Sequence, residues 1–348
     1  MVTSSSVGTF NTARQKLLTT ARALPPRAAR QAWFFAKSFV GLPTRGDVSF
    51  LVEELVARLE RGELCKGLHI TAAGRTDGAG AQATAAMSAL ALARTYGLTY
   101  VHTPFASMEH SEGASSEDWA QRWEAIFNLG QGHMAAAECQ LPAVGLEQFM
   151  ASPQLWDTPC LVTAGRYVRF TDMHPEALAA IAGDLRARYS ACGHVPAARQ
   201  AGVVRVGVHL RRGDVSLFDP LTAHRAAPLQ PLATAISQVK SAARRAGKRA
   251  VIRVYSQGDR AELALLEQVG CELALDASAC DTFHELVATD VLLMGRSSFS
   301  FAAGVIGSGI KIYDPCKRPP LPDWLVRDGQ GRLDVDLLAW MLAQQDET

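Results

Sequence analysis

Apolar and polar positions along the chain follow two periods, and the places where the period changes mark the elements. From Phe50 to about Arg61 the apolar residues Leu51, Val52, Leu55, Val56 and Leu59 recur at helical spacing, with Glu53, Glu54, Arg58 and Glu60 on the other side. The run KGLHITAAG then reads as a strand ended by Gly74, and GRTDGAGAQ as a glycine-rich loop. AQATAAMSALALARTYG reads as an alanine-rich helix closed by Gly97, and LTYVHTPF as a second strand halted by Pro104. Strand, glycine loop, helix, strand is a βαβ unit, and it predicts a parallel sheet.

Between residues 105 and 200 the pattern is less regular. SSEDWAQRWEAIFNLG predicts a helix capped by Ser115 or Ser116 and stopped by Gly130. PCLVTAG predicts a strand, HPEALAAIAGDLRARYSAC a helix, and CGHVPAARQAG (192–202) a loop that makes the best domain boundary. A second series follows: strand VVRVGVHL, a helix over about 227–246, strand RAVIRVYS, helix DRAELALLEQVG, strand CELALD and short helix DTFHELVAT. Strand DVLLMGRSS, helix FSFAAGVIG and strand IKIYDP complete it, with a last helix at about 334–344. Most of these strands are largely apolar, as in a parallel sheet covered on both faces. The fold class predicted is therefore α/β, with two doubly wound domains in series. The expected division is an N-terminal basic helical arm over 1–65, one domain over 66–195, a second over 203–330 and a C-terminal helix over 331–348.

Composition narrows the function classes. A chain of 348 residues is too long for most single cores. The formal net charge of +1 gives no global field for nucleic acid. No window holds 18 uninterrupted apolar residues, so no transmembrane helix is expected, and MVTSSSVGTFNTARQKLL lacks the apolar core of a secretory leader. The seven cysteines form no C-x-x-C pair, so free thiols in a reducing, cytoplasmic compartment are expected rather than a zinc site or a disulfide framework. Residues 1–45 carry seven basic residues before the first acid, Asp47, and include AWFFAKSF. Such a segment suits peripheral contact with an anionic membrane at its inner face; a packed helical arm is the alternative.

In open parallel sheets ligands sit beyond the carboxyl ends of the strands. After the strands of the second series stand His209, Arg211, Arg212 and Asp214; Ser256, Gln257 and Asp259; Asp276; and Ser297, Ser298 and Ser300. The serines precede a helix, whose free N–H groups make an anion site that arginines could share. Simple capping for the serines and a surface loop for RRGD are the plainer readings. In the first series, His102, Glu109, His110, Trp119, Trp123 and Glu124 could line a cleft; two tryptophans at i and i+4 could equally be one packed stripe. The only D-x-D, DVD at 334–336, reads as helix capping.

HLRRGD resembles the H-x-R-R-x-D motif of the α-1,2, α-1,6 and protein-O-fucosyltransferase group. YSQGD and DTFHELVATDVLLMGRSSFSFAAG are similar to the group's later motifs, and DGAGAQ resembles its G-G-x-G-N-Q more loosely, with Asp77 for the first Gly and Ala81 for Asn. The resemblance implies a GT-B fold of two Rossmann-like domains across a cleft: an acceptor domain over 66–195 and a nucleotide-sugar domain over 203–330. It implies an inverting, metal-independent transfer from GDP-fucose, with no cofactor, to a glycan acceptor. Arg211 would contact the β-phosphate, and Arg212 the loop or a phosphate. His209 would lie beside the nucleoside, Ser298 on phosphate and Asp281 on the guanine edge. Asp214, Ser256, Gln257, His284, Ser297 and Phe299 complete the implied donor set. Gly78, Gly80, His102 and Glu109 stand on the acceptor side, and Asp219, or His224, would be the base. Two other readings stay open: a non-catalytic GDP-sugar-binding regulatory protein, and a GT-B transferase for another nucleotide sugar.

Overall fold

The computed structural model describes residues 49–109, 111–194, 200–212, 215, 226–316 and 318–345. Residues 1–48 of the arm expected over 1–65, and the residues His110, Asp214, Asp219 and His224, therefore lie outside the described residues. The chain runs α1 (Ser49–Glu60), β1 (His69–Ala72), α2 (Ala79–Tyr96), β2 (Thr99–His102), α3 (Ser116–Phe127), β3 (Met134–Ala135), β4 (Ala143–Gly145) and α4 (Leu146–Ala151). It continues with β5 (Leu161–Ala164), α5 (Val168–Met173), α6 (Pro175–Ser190), β6 (Val203–His209), α7 (Leu229–Arg245), β7 (Arg249–Ser256), α8 (Ala264–Gln268) and β8 (Glu272–Leu275). The last elements are α9 (Ala279–Val287), β9 (Val291–Leu293), α10 (Ser298–Ile306), β10 (Ile310–Tyr313), β11 (Leu325–Val326) and α11 (Val335–Gln344).

Two separate parallel sheets result. The first has the order β3-β2-β1-β5-β4 and the second β11-β10-β9-β6-β7-β8. This is the two-domain α/β architecture expected from the periodicity. In the first sheet β1 and β5 are neighbours without a reversal of order, whereas in the second the strand order reverses between β6 and β9. A crevice opens at such a point because the loops after the two strands leave in opposite directions.

Local sequence explains most of the elements. α2 is built from alanines and buried on nearly all sides, then stopped by Gly97 at φ 68°. α3 is capped by Ser115, whose hydroxyl accepts from the Asp118 N–H at 3.0 Å. It ends at Asn128 in the left-handed region, two residues before the expected Gly130. α11 is capped by Asp334, which accepts from Leu337 N–H at 2.9 Å, so DVD does cap a helix. DRAELALLEQVG departs from the single helix expected: Arg260–Leu263 is a 3-10 turn capped by Asp259, and only Ala264–Gln268 is α-helical. β3, β4 and β11 have only two or three residues each, too short to display a period.

Residue alternation on β6 fixes what each face meets. Val204, Val206 and Val208 join Ile236 and Val239 of α7 and Leu338 and Leu342 of α11 in one core. Arg205, Gly207 and His209 point to the other face, under α9 and α10. There a larger core runs without a break through both domains. It joins Met87 and Leu90 of α2, Ile181 and Leu185 of α6, Phe283 of α9, and Phe301 and Val305 of α10. Among the described residues no helix is long and apolar enough to cross a membrane.

Candidate functional site

The reversal point of the second sheet is where β6 ends at His209 and the chain runs on through Leu210, Arg211 and Arg212. The same alternation that buries Val208 under α7 turns His209 toward α10. Its ring lies 5.3 Å from that of Phe299, tilted by 39°. Gly295 passes so close that a Cβ there would come within 2.5 Å of the His209 carbonyl oxygen. The His209 Nδ1 is enclosed and has no hydrogen-bond partner among the described residues. Burial, with help from the Arg211 charge, pushes its pKa down to about 4. The imidazole is thus neutral near pH 7. Arg212 is half-buried and donates from Nη2 to the Ala227 carbonyl at 3.3 Å. Burial lowers its pKa, with Glu262 opposing.

Beside β6, β9 ends at Leu293, and Met294 to Ser297 lead into α10. Ser297 caps it: its hydroxyl accepts from the Phe299 N–H at 3.2 Å. Ser300 is fully buried and donates to the Gly295 carbonyl at 3.0 Å, which ties the first turn to the end of β9. Both serines therefore do structural work, as the capping reading expected. Ser298 differs: its hydroxyl makes no hydrogen bond among the described residues. The N–H groups of Ser298 and Ser300 lie in the turn that the helical ladder leaves unpaired.

The first sheet brings a second helix start to the same place. α2 begins at Gly78, which has no side chain to cap it. The next residues approach α10 so closely that a Cβ on Gly80 would lie 2.5 Å from both N and Cα of Phe299. Only glycine fits this junction. Gln82 holds the loop in place, with its Nε2 donating to the carbonyls of Asp77 at 2.7 Å and Ser107 at 2.9 Å. The Glu109 N–H bonds the Thr76 carbonyl at 3.0 Å, so the exposed Glu109 sits beside the same loop. Two helix starts, each carrying roughly half a positive charge, are thus packed together next to β6. An anion at the junction would relieve their repulsion.

Further arginines surround this junction, and the sequence reading missed them. Arg75 follows β1. Its Nη1 donates to the Gly165 carbonyl at 2.8 Å across the neighbouring ends of β1 and β5, and its Nε to Asp77 at 2.9 Å. Arg296, just before Ser297, shares the buried carboxylate of Asp314 with Arg327, at 3.0 and 2.6 Å. Arg318 lies over the Phe301 ring and 3.8 Å from Asp172. Burial lowers its pKa, Asp172 opposing and Arg75 adding to the fall. Arg75 and Arg296 both stand directly after strands, so the strand-end rule could have found them.

Other candidates fall elsewhere. His102 is 4% exposed, and both its ring nitrogens are engaged, with Tyr100 Oη at 3.0 Å and Glu124 Oε1 at 2.5 Å. It cannot meet an acceptor without breaking those bonds. Trp119 and Trp123 are 3% and 1% exposed. Trp123 packs edge-on against Phe283 and Phe299, so the pair is a packed stripe that joins the domains. The His284 Nδ1 meets Tyr189 Oη at 2.5 Å, and its ring stacks on His194 at 3.8 Å, on the side of α9 that faces α6. Asp281 is exposed in the first turn of α9. The N–H of Ala279 in that turn already donates to Glu112 of the first domain at 2.8 Å. Ser256 is the last residue of β7 and its carbonyl accepts from the Asp276 N–H at 3.0 Å; the exposed Gln257 follows it. Among the described residues no group of three or more His, Cys, Asp or Glu side chains could hold a metal ion.

No family model matches the chain, and no characterised protein matches it in sequence. Several solved structures are similar in outline. One is the NodZ α-1,6-fucosyltransferase co-crystallised with GDP, at TM-score 0.37 and 14% identity over 77% of this chain and 97% of that one. Another is POFUT1 in complex with GDP, at TM-score 0.33 and 12% identity over 71% and 97%. The E. coli heptosyltransferase WaaC with ADP gives TM-score 0.37 and 11% identity over 80% and 99%. These are loose likenesses of chain trace, and the chemistry of the site rests on its own residues.

Proposed function

We propose that the chain is a glycosyltransferase that breaks a sugar–diphosphate bond, and more narrowly that it moves fucose from GDP-fucose to a glycan or glycoside hydroxyl with inversion. The observation that carries this reading is the meeting of two helix starts, at Gly78–Gly80 and Ser297–Phe299, beside the strand end that bears Arg211. A diphosphate needs donors from two sides, and this arrangement suits it. The narrower choice of donor rests on HLRRGD, YSQGD, DTFHE and SSFS. Loss of the sugar–phosphate bond builds negative charge on departing GDP and positive charge on the sugar. A guanidinium stays charged at any working pH, and fixed N–H groups need no reorganisation, so Arg211 and Ser298 stabilise the leaving group without a metal. Arg212 holds the following loop through Ala227. The neutral His209 ring lies beside the nucleoside without adding charge. Asp281 accepts from the N1–H and 2-amino groups of guanine, which adenine does not offer. Asp219 takes the acceptor proton.

The test is a thermal-shift panel of GDP, UDP, CDP and ADP, with and without EDTA. GDP at 100 times its Kd should add about 2.7 kcal/mol, and the others less. Equal shifts for all four would remove the guanine assignment. No shift from any would remove the diphosphate site. A GDP shift lost on chelation and restored by Mg²⁺ would replace the metal-free mechanism.

A further inference from the structure

The far end of α10 carries a second unusual site. Along β10, Ile310 and Ile312 face the α7 and α11 core, so Lys311 faces the α10 side. It is 6% exposed and makes no hydrogen bond or ion pair among the described residues. Its Nζ is not among the fully enclosed, unpaired polar atoms, so the largely buried side chain brings its ammonium to accessible space with no hydrogen bond to hold it. Lys311 lines a pocket of about 160 Å³ between α6, the last turn of α10 and the 321–324 loop. Val305 is seven residues from Ser298, roughly 10 Å along the helix. The pocket thus stands apart from the strand ends that carry the proposed donor site.

The lining specifies a chemistry. Ala182, Gly304, Val305, Leu321 and Trp324 supply apolar walls. Gly304 keeps the space tight, since a Cβ there would come within 3.3 Å of the Trp324 ring. Arg186 of α6 is fixed at the edge, with Nε and Nη2 donating to the carbonyls of Ile306 at 2.9 Å and Gly307 at 3.1 Å. Asp323, exposed, is the one carboxylate in the lining. Two cations against one anion leave a single positive charge to neutralise. A cavity of this size admits one benzene-sized ring. We propose that the pocket binds a small organic monoanion, a carboxylate on a compact ring or branched apolar body, with the carboxylate on Lys311 and the body against Trp324 and Val305.

The pH dependence follows from the same surroundings. Burial pushes the Lys311 pKa down to about 8, with Asp323 raising it and Arg186 lowering it. The other groups lining the pocket from α6 and α10 carry no titratable side chain beyond Arg186. Above that pKa the ammonium is lost, so a carboxylate should bind about tenfold more weakly at pH 9 than at pH 7.

The experiment is isothermal titration of the full chain with benzoate, benzamide and acetate. Benzoate should bind one to one, and benzamide and acetate at least about tenfold more weakly, because each lacks one half of the match. Lys311→Met should lose benzoate binding and melt higher at pH 7, since it removes a charge that burial disfavours. Equal binding of benzamide, unchanged benzoate binding by Lys311→Met, or no benzoate binding by wild type would each overturn the proposal. If Lys311→Met fails to fold, the benzoate and benzamide comparison and the pH 7 to pH 9 series on the wild type still decide it.

Discussion

Two strand ends in this molecule crowd polar side chains together, with opposite outcomes. After β2, Tyr100, His102 and Glu124 form a closed chain. The His102 Nε2–H donates to Glu124 and its Nδ1 accepts from the Tyr100 hydroxyl, while the second Glu124 oxygen accepts from the Phe105 N–H at 3.1 Å. Burial, and then the Glu124 charge, drives the Tyr100 pKa well above its ordinary value, so its hydroxyl stays a donor. Every main group there has a partner. After β6, His209 Nδ1 is enclosed without one, the Ser298 hydroxyl bonds no described residue, and two helix starts face each other. A polar cluster that satisfies itself stabilises a fold. One left unsatisfied at a sheet's reversal point is arranged for something else to complete.

The sharpest way to break this contrast is Arg211→Lys. Lysine keeps the charge but loses the planar fork that grips a diphosphate. Turnover should fall on the order of 100-fold or more, mainly in kcat, while the melting temperature holds. Arg211→Ala should do the same. If both variants unfold and the residual folded protein has normal specific activity, the β6 end is a structural corner like the β2 end.

The converse test is Glu124→Ala. It removes the acceptor for the His102 and Phe105 N–H groups, and should cost about 2 kcal/mol of stability. Specific activity per folded molecule should not change. Lost turnover with an unchanged melt would mean that the β2 cluster acts in the reaction, and the distinction drawn from satisfied bonds would fail.

The two regions also differ in how far the sequence revealed them. The β6 end was legible because VVRVGVHL alternates cleanly, so both the strand and the residues that follow it could be placed. SSFS was legible because a helix start has a local signature. The packing of Gly80 on Phe299 was not, since it joins residues more than two hundred positions apart and depends on how the sheets face. Arg75 hid in a glycine-rich loop, and its partner Gly165 lies 90 residues on. His102 misled because a strand-end histidine looks the same whether its nitrogens are open or taken. Lys311 was invisible for another reason. In IKIY a lysine at an alternate position resembles a solvent-facing residue, and only the covering helices make it buried.

The smallest expected effect is the pH dependence that His209 gives the fold. His209 has a folded pKa of about 4, below the ordinary 6.5. A depressed histidine favours the fold in its neutral form. Its contribution is therefore complete above about pH 6.5, where both states are neutral. As pH falls, the unfolded chain takes up a proton that the folded chain refuses, so stability declines until about pH 4. At pH 5.5 the loss relative to pH 7 should be about 1.2 kcal/mol from this residue alone. His209→Gln should remove that slope from urea unfolding curves measured at the two pH values. Bound GDP should steepen the decline if His209 must stay neutral beside the nucleoside, because protonation would then also weaken the ligand. An identical acid slope in wild type and His209→Gln would mean that the β6 imidazole meets solvent in the folded protein, and the contrast between the two strand ends would lose its main support.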